Sequence, residues 1–195
     1  MSETGEIQEH SLISSDRRQF LKTAALAAVT AASAPTRRVM AALQDTPGDR
    51  KALSLYHVHT DEQAYAIYWQ NGQYNPKGLY HVDYILRDVQ ANELMPIDPR
   101  LVDLIHAITN AVDAKRPVHV ISGYRTPQTE KILRNTQGDR DRSRLHMSGR
   151  AVDIRIPGIP TLDLHQAAVE LNAGGVGYYP VADSVHIDIG RVRYW

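Results

Sequence analysis

The 195-residue chain has no cysteine, no excess of either charge and no long apolar run. Without thiols there is no disulfide framework, no thiolate metal site, no cysteine nucleophile and no cysteine-borne lipid anchor. Lys+Arg and Asp+Glu both total 22, so nothing marks a nucleic-acid or acidic-membrane partner. The most apolar stretch, Thr23 to Ala32, falls well short of the roughly 20 residues a spanning helix needs. No internal repeat is present, and the length suits one well-buried domain better than two. Any transition-metal site must therefore be built from imidazole and carboxylate, for which the chain offers nine histidines.

What is present begins at the N-terminus. Ser15-Asp16-Arg17-Arg18-Gln19-Phe20-Leu21-Lys22, followed by the short alanine-rich run, resembles a twin-arginine export signal. Ala32-Ser33-Ala34 and Val39-Met40-Ala41 are two candidate processing sites. Residues 1–41 are read as the signal segment, 42–51 as a polar, flexible lead-in, and 52–195 as the folded domain. That reading implies the twin-arginine machinery as a partner and a place of work in the periplasm or cell envelope.

Along the domain, Leu53, Leu55, His57 and His59 alternate with Ser54, Tyr56 and Val58, as in a half-buried strand. A second strand-like run, Ala64 to Trp69, leads into Asn71-Gly72, a two-residue hairpin signal before Gln73-Tyr74. Leu79, Val82, Leu86 and Val89 keep helical spacing. Asp98-Pro99 opens a clearer helix with Asp98 as N-cap, a stripe of Leu101, Leu104, Ile105, Ile108 and Val112, and Lys115-Arg116 near its end. Val118 to Ser122 reads as a central strand, and Thr126 as the cap of a helix from Pro127 to about Asn135. Thr136 to Arg144 is polar and loop-like. Ala151 to Ile156 alternates, with Val152, Ile154 and Ile156 on one face and Asp153 and Arg155 on the other. Thr161 is expected to cap a helix from Leu162 to Asn172, with strands following at Val176, at Val185 to Ile189 and at Val192. Strands first, then helices mixed with short strands, predict a single α+β domain with a largely antiparallel sheet flanked by helices.

An aspartate within a strand is costly unless paired. His146, Asp153 and His186 fall on or beside late strands and make a two-histidine, one-carboxylate set, which leaves the fourth position of a tetrahedral zinc open. Asp183, three residues before His186, can serve as general base and then acid, and Arg125 beside the central strand can hold a carboxylate or a developing oxyanion. The same residues have plainer readings. His146 would be a loop histidine and His186 a core one, Asp153 a partner of Arg125 or Arg155, and Asp183 a turn residue. Asp188 is either an orienting partner for an imidazole or a counter-ion for Arg191 or Arg193. His57 and His59 share a strand face but lack an evident third ligand.

Three motifs in order bear on these alternatives. Ser122-Gly123-Tyr124-Arg125, the His-x-x-Gly-x-Ala-x-Asp of His146, Gly149, Ala151 and Asp153, and the Asp-x-x-His of Asp183 and His186 resemble the M15 metallopeptidases. Gly174 to Pro180 and Val185 to Trp195 are closer still to its murein endopeptidase K-like branch, and the resemblance runs from about Leu53 to Trp195. It implies one Zn²⁺ per chain held by His146, Asp153 and His186, with Arg125 beside the substrate. It also implies hydrolysis of peptide cross-links in peptidoglycan stem peptides. Some M15 enzymes have Glu three before the last histidine and the endolysin type has Asp, as here; the endopeptidase K branch is not reliably acidic at that position. A non-catalytic murein-binding domain that keeps the zinc fold, and a D-Ala-D-Ala carboxypeptidase or dipeptidase, are the alternative functions.

Overall fold

The computed structural model describes residues 50–137 and 144–195. The signal segment, nearly all of the lead-in and most of the polar stretch after Thr136 lie outside the described residues. Eight strands form one mixed sheet: β1 (Lys51–His57), β2 (Gln63–Gln70), β3 (Gln73–Tyr74), β4 (Val118–Ser122), β5 (Ala151–Arg155), β6 (Gly175–Tyr179), β7 (Ser184–Asp188) and β8 (Arg193–Tyr194). Their spatial order is β3-β2-β1-β4-β5-β7-β6-β8. Only β1–β4 and β6–β8 are parallel, so the largely antiparallel α+β expectation holds. The helices are α1 (Pro76–Ile85), α2 (Pro99–Ala111), α3 (Pro127–Gln137) and α4 (Thr161–Leu171).

Local chemistry explains the boundaries. Asn71 and Gly72 both take positive φ (55° and 78°), the backbone that closes a two-residue hairpin between β2 and β3. Helix α1 starts earlier than its apolar spacing suggested, because Asn75 accepts from the Lys77 amide and Pro76 sits at the first helical position. It stops with Leu86 as C-cap, which leaves Val89 beyond it. Asp98 caps α2 as expected, accepting from the Arg100 amide. The helix ends at Ala111 with Val112 as its cap, however, and Asp113 turns left-handed (φ 52°). Lys115 therefore lies outside the last turn and pairs with Asp113 at 2.6 Å. Thr161 is the first residue of α4 instead of its side-chain cap, since its hydroxyl is given to Asp183.

One sheet face carries the core. Leu55, Val120, Ile154 and Ile187 are at most 1% exposed, and they pack with Val82 and Ile85 of α1, Leu101, Ile105 and Ile108 of α2, and Leu164 of α4. Each fully buried side chain of this size contributes about 1.5–3 kcal/mol. Alternation then forces Asp153, Arg155, His186 and Asp188 to the opposite face of β5 and β7. The antiparallel register sets Asp153 directly across from His186 at the middle of the sheet.

Candidate metal centre

His146 reaches this face from the helical turn just before β5. Gly149, at φ 65°, makes the reversal between His146 and the strand; a Cβ there would meet the Pro96 carbonyl oxygen at 2.7 Å, so only glycine fits. The donor atoms of His146, Asp153 and His186 all lie within 4.8 Å of one another. His146 Nε2 is 3.3 Å from His186 Nδ1 and 3.6 Å from Asp153 Oδ2, and His186 Nδ1 is 2.8 Å from Asp153 Oδ1. Both imidazoles are fully buried.

The partners on the far side of each ring set which nitrogen faces inward. His146 Nδ1 donates to the Gly123 carbonyl at 2.7 Å, so Nε2 presents its lone pair to the cluster. His186 Nε2 donates to Asp188 Oδ2 at 3.0 Å, so Nδ1 is the inward atom. Asp188 is itself wholly buried and accepts from the Gly175 and Gly190 amides and from Arg193 Nη1. The two readings of Asp188 are thus both realised in one carboxylate. Trp195 closes the other side of His186 with its ring 5.4 Å away, over Gly177, where a Cβ would strike the indole at 2.6 Å. Two imidazole lone pairs and a carboxylate, each oriented from behind, fit a tetrahedral divalent ion with one position open.

Charge follows geometry. Burial pushes the Asp153 carboxyl up, but His146 and His186 outweigh it and hold the group well below the usual carboxylate range. Burial pushes His146 down and keeps it neutral. His186 is also pushed down by burial, yet the carboxylates of Asp153 and Asp188 on its two nitrogens raise it overall.

Arg125 lies beside the cluster, buried, with Nη2 donating to Asp153 Oδ2 at 2.5 Å, Nε to Ser122 Oγ at 2.7 Å and Nη1 to Glu130 at 3.4 Å. A register shift between Val120 and Ser122 re-aims the end of β4 so that Ser122 meets Asp153. Asp183 is placed differently. Its carboxylate accepts from the Thr161 hydroxyl, lies 3.8 Å from Arg155 and is 62% exposed. It makes no contact with the three donors among the described residues. A cleft of about 340 Å³ opens beside the donors, and Ala182 and Ser184 line it while Asp183 does not. Its walls include Arg125, Asp153 and Tyr179 and, at the far end, His57, His59 and Arg87.

Several of these parts were not named from the sequence. The Gly123 carbonyl that orients His146 is a backbone atom inside a motif noticed for its arginine. Glu130 gave no signal beyond its place in the first turn of α3. The seating of Trp195 on His186 depends on β6–β8 pairing, and the place of His57 in the cleft depends on β1–β4 pairing.

Two imidazoles, one on the sheet and one on the turn before it, with one sheet-borne carboxylate, beside a buried arginine and an open cleft, define a metallopeptidase-type centre. Residues 45–195 match the family model described as "Peptidoglycan L,D-endopeptidase MepK", and the chain belongs to that family of M15 peptidases. The peptidoglycan L,D-endopeptidase MepK of Escherichia coli strain K12 is 36% identical over 150 residues, 77% of this chain and 82% of the relative. The probable peptidoglycan L,D-endopeptidase MepK of Haemophilus influenzae is 32% identical over 155 residues, 79% and 83% of the two chains. No solved structure matches.

Proposed function

We propose that this chain is a zinc-dependent murein endopeptidase that hydrolyses L,D peptide bonds in the cross-links between peptidoglycan stem peptides. The observation that carries the reading is the convergence of His146 Nε2, His186 Nδ1 and the Asp153 carboxylate, with both tautomers set by Gly123 and Asp188. The names of the relatives point to the same bond and the same polymer. No helix among the described residues is long and apolar enough to cross a membrane, and work in the periplasm or envelope after twin-arginine export fits the substrate.

These three residues would hold the ion. Bound there, it supplies Lewis acidity to polarise a carbonyl and to ease deprotonation of a water. The protein's own groups do the rest. Arg125 fixes Asp153 Oδ2 from one side and presents its guanidinium to the cleft, where it stabilises negative charge developing on the carbonyl oxygen. Asp183 is assigned the base by its place three residues before His186: it would take the proton of the attacking water and return it to the leaving amine, for which its carboxylate must leave the Thr161 hydroxyl and turn into the cleft. Asp188 is fully committed to His186, two backbone amides and Arg193, so its part is to position His186.

The test is product analysis on defined muropeptides with the zinc-loaded protein, with a chelator, and with His186→Ala. Cross-linked dimers are expected to be cut to monomers by the loaded wild type alone. A His186→Ala protein with full activity overturns the metal reading; cleavage confined to terminal D-Ala residues of monomers turns the assignment to a carboxypeptidase.

A further inference from the structure

The end of the cleft away from the metal donors is built by the C-terminal end of β1. His57 is 1% exposed, yet it lines the cleft. Its Nδ1 accepts from the His59 amide at 3.3 Å, which places the proton on Nε2. No group among the described residues accepts from Nε2. The ring is otherwise enclosed, so this N–H is a donor held ready for a group bound in the cleft.

The surroundings show what kind of acceptor it fits. His59 stands next to His57 with ring centroids 5.7 Å apart, and the Arg87 guanidinium lines the same wall. Arg87 is 7% exposed and held in place by Glu62, Asn92 and the Tyr84 carbonyl. Of the acidic groups at this end, Glu62 is paired with Arg87 at 2.9 Å, and Asp88 is turned away, accepting from the amides of Gln90, Ala91 and Thr126. Burial first, then the charges of His59 and Arg87, push His57 down against an opposing pull from Glu62, so it stays a neutral donor.

We propose that His57 Nε2–H, with His59 and Arg87 beside it, is a subsite for a carboxylate of the substrate peptide. The reading rests on the peptidase function proposed above. Strand geometry gives its reach. His57 pairs with Val120 on β4, and Asp153 pairs with Ser122 on the other side of that strand. Two inter-strand steps and two residues along β4 separate them by roughly 12 Å. That is about three to four extended peptide residues from Asp153. The subsite would therefore read a charge remote from the scissile bond and hold the chain across the cleft.

The experiment uses two cross-linked muropeptide substrates that differ only in whether the free carboxylates are intact or amidated. It assays the zinc-loaded wild type, His57→Gln and His57→Phe, with zinc content measured for each. Wild type is expected to prefer the intact substrate, chiefly through KM. His57→Phe should lose about 10- to 100-fold in kcat/KM on it and little on the amide. His57→Gln, which keeps a donor, should recover part of that loss. Equal losses on both substrates with unchanged zinc content overturn the subsite, as does a wild type that cuts both equally well. A wild type that cuts neither overturns the peptidase reading instead. Should His57→Phe fail to fold, the comparison of wild type with His57→Gln on the two substrates still decides.

Discussion

Replacing Asp188 with Asn would test whether the orientation of His186 is imposed from behind. The substitution keeps the volume but offers one acceptor oxygen where the carboxylate has two. If that oxygen faces His186, the new NH₂ faces the amides of Gly175 and Gly190, which donate to Asp188 at 3.0 and 2.8 Å. The buried Gly175 donor is then orphaned at about 1–3 kcal/mol of folding free energy, and the part-buried Gly190 donor adds less. If the oxygen faces the amides, the NH₂ meets His186 Nε2. The imidazole must then accept there and carry its proton on Nδ1, the atom aimed at the metal. Either arrangement also removes the counter-charge of Arg193, whose guanidinium lies 2.9 Å away. Loss of such an orienting partner typically lowers metal affinity about 10- to 100-fold. Competition against a chromophoric chelator measures the zinc affinity, and urea unfolding of the chelator-treated protein measures the intrinsic stability. A variant with wild-type affinity and wild-type stability refutes the argument, because then neither orientation costs anything.

Asp183→Asn is expected to lower kcat by about 10²–10⁴-fold with zinc content unchanged, read from muropeptide turnover; full activity moves the base to another group. Glu62 gives a pH-dependent stability. The Thr60 and Tyr84 hydroxyls and Arg87 lower its carboxyl to about 2 against an opposing push from burial. Its folded value lies below the unfolded one, so its contribution is present above about pH 4.5 and is lost as pH falls towards 2. Glu62→Gln should flatten that part of the stability curve in acid titrations of the unfolding midpoint, and curves parallel to wild type over the same range argue against it.

What could be read from sequence was whatever short-range chemistry decides. The Asp98-Pro99 and Thr126-Pro127 starts, the Asn71-Gly72 hairpin and the alternation in β5 all depend on neighbours within a few residues. The structure has each of them. The proximity of the three candidate donors was legible because a turn glycine and a strand period put two of them on one face, and the third lies on a strand of the same kind. Helix ends were less legible. Nothing in the composition of α2 says that Asp113 turns left-handed before the basic pair, and the hydroxyl of Thr161 was claimed by a residue 22 positions away. The cleft was hidden for the same reason. Its far wall exists only because β1 lies parallel to β4, a pairing that no local pattern announces.

The cross-strand pairing of Asp153 with His186 has a consequence for how the sheet finds its alignment. Strands slide easily when either face will do, and a slip of one residue turns every side chain over. Here such a slip of β5 against β7 would carry Asp153 into the helix-covered core and lift Ile154 out of it. It would also part the two donors that face each other across the ladder. An ion seated there would then lose Asp153 as a ligand, so a bound ion would favour the correct strand alignment. Only the correct alignment can close the centre, and a bound ion would pin β5 to β7 as a rivet pins two plates.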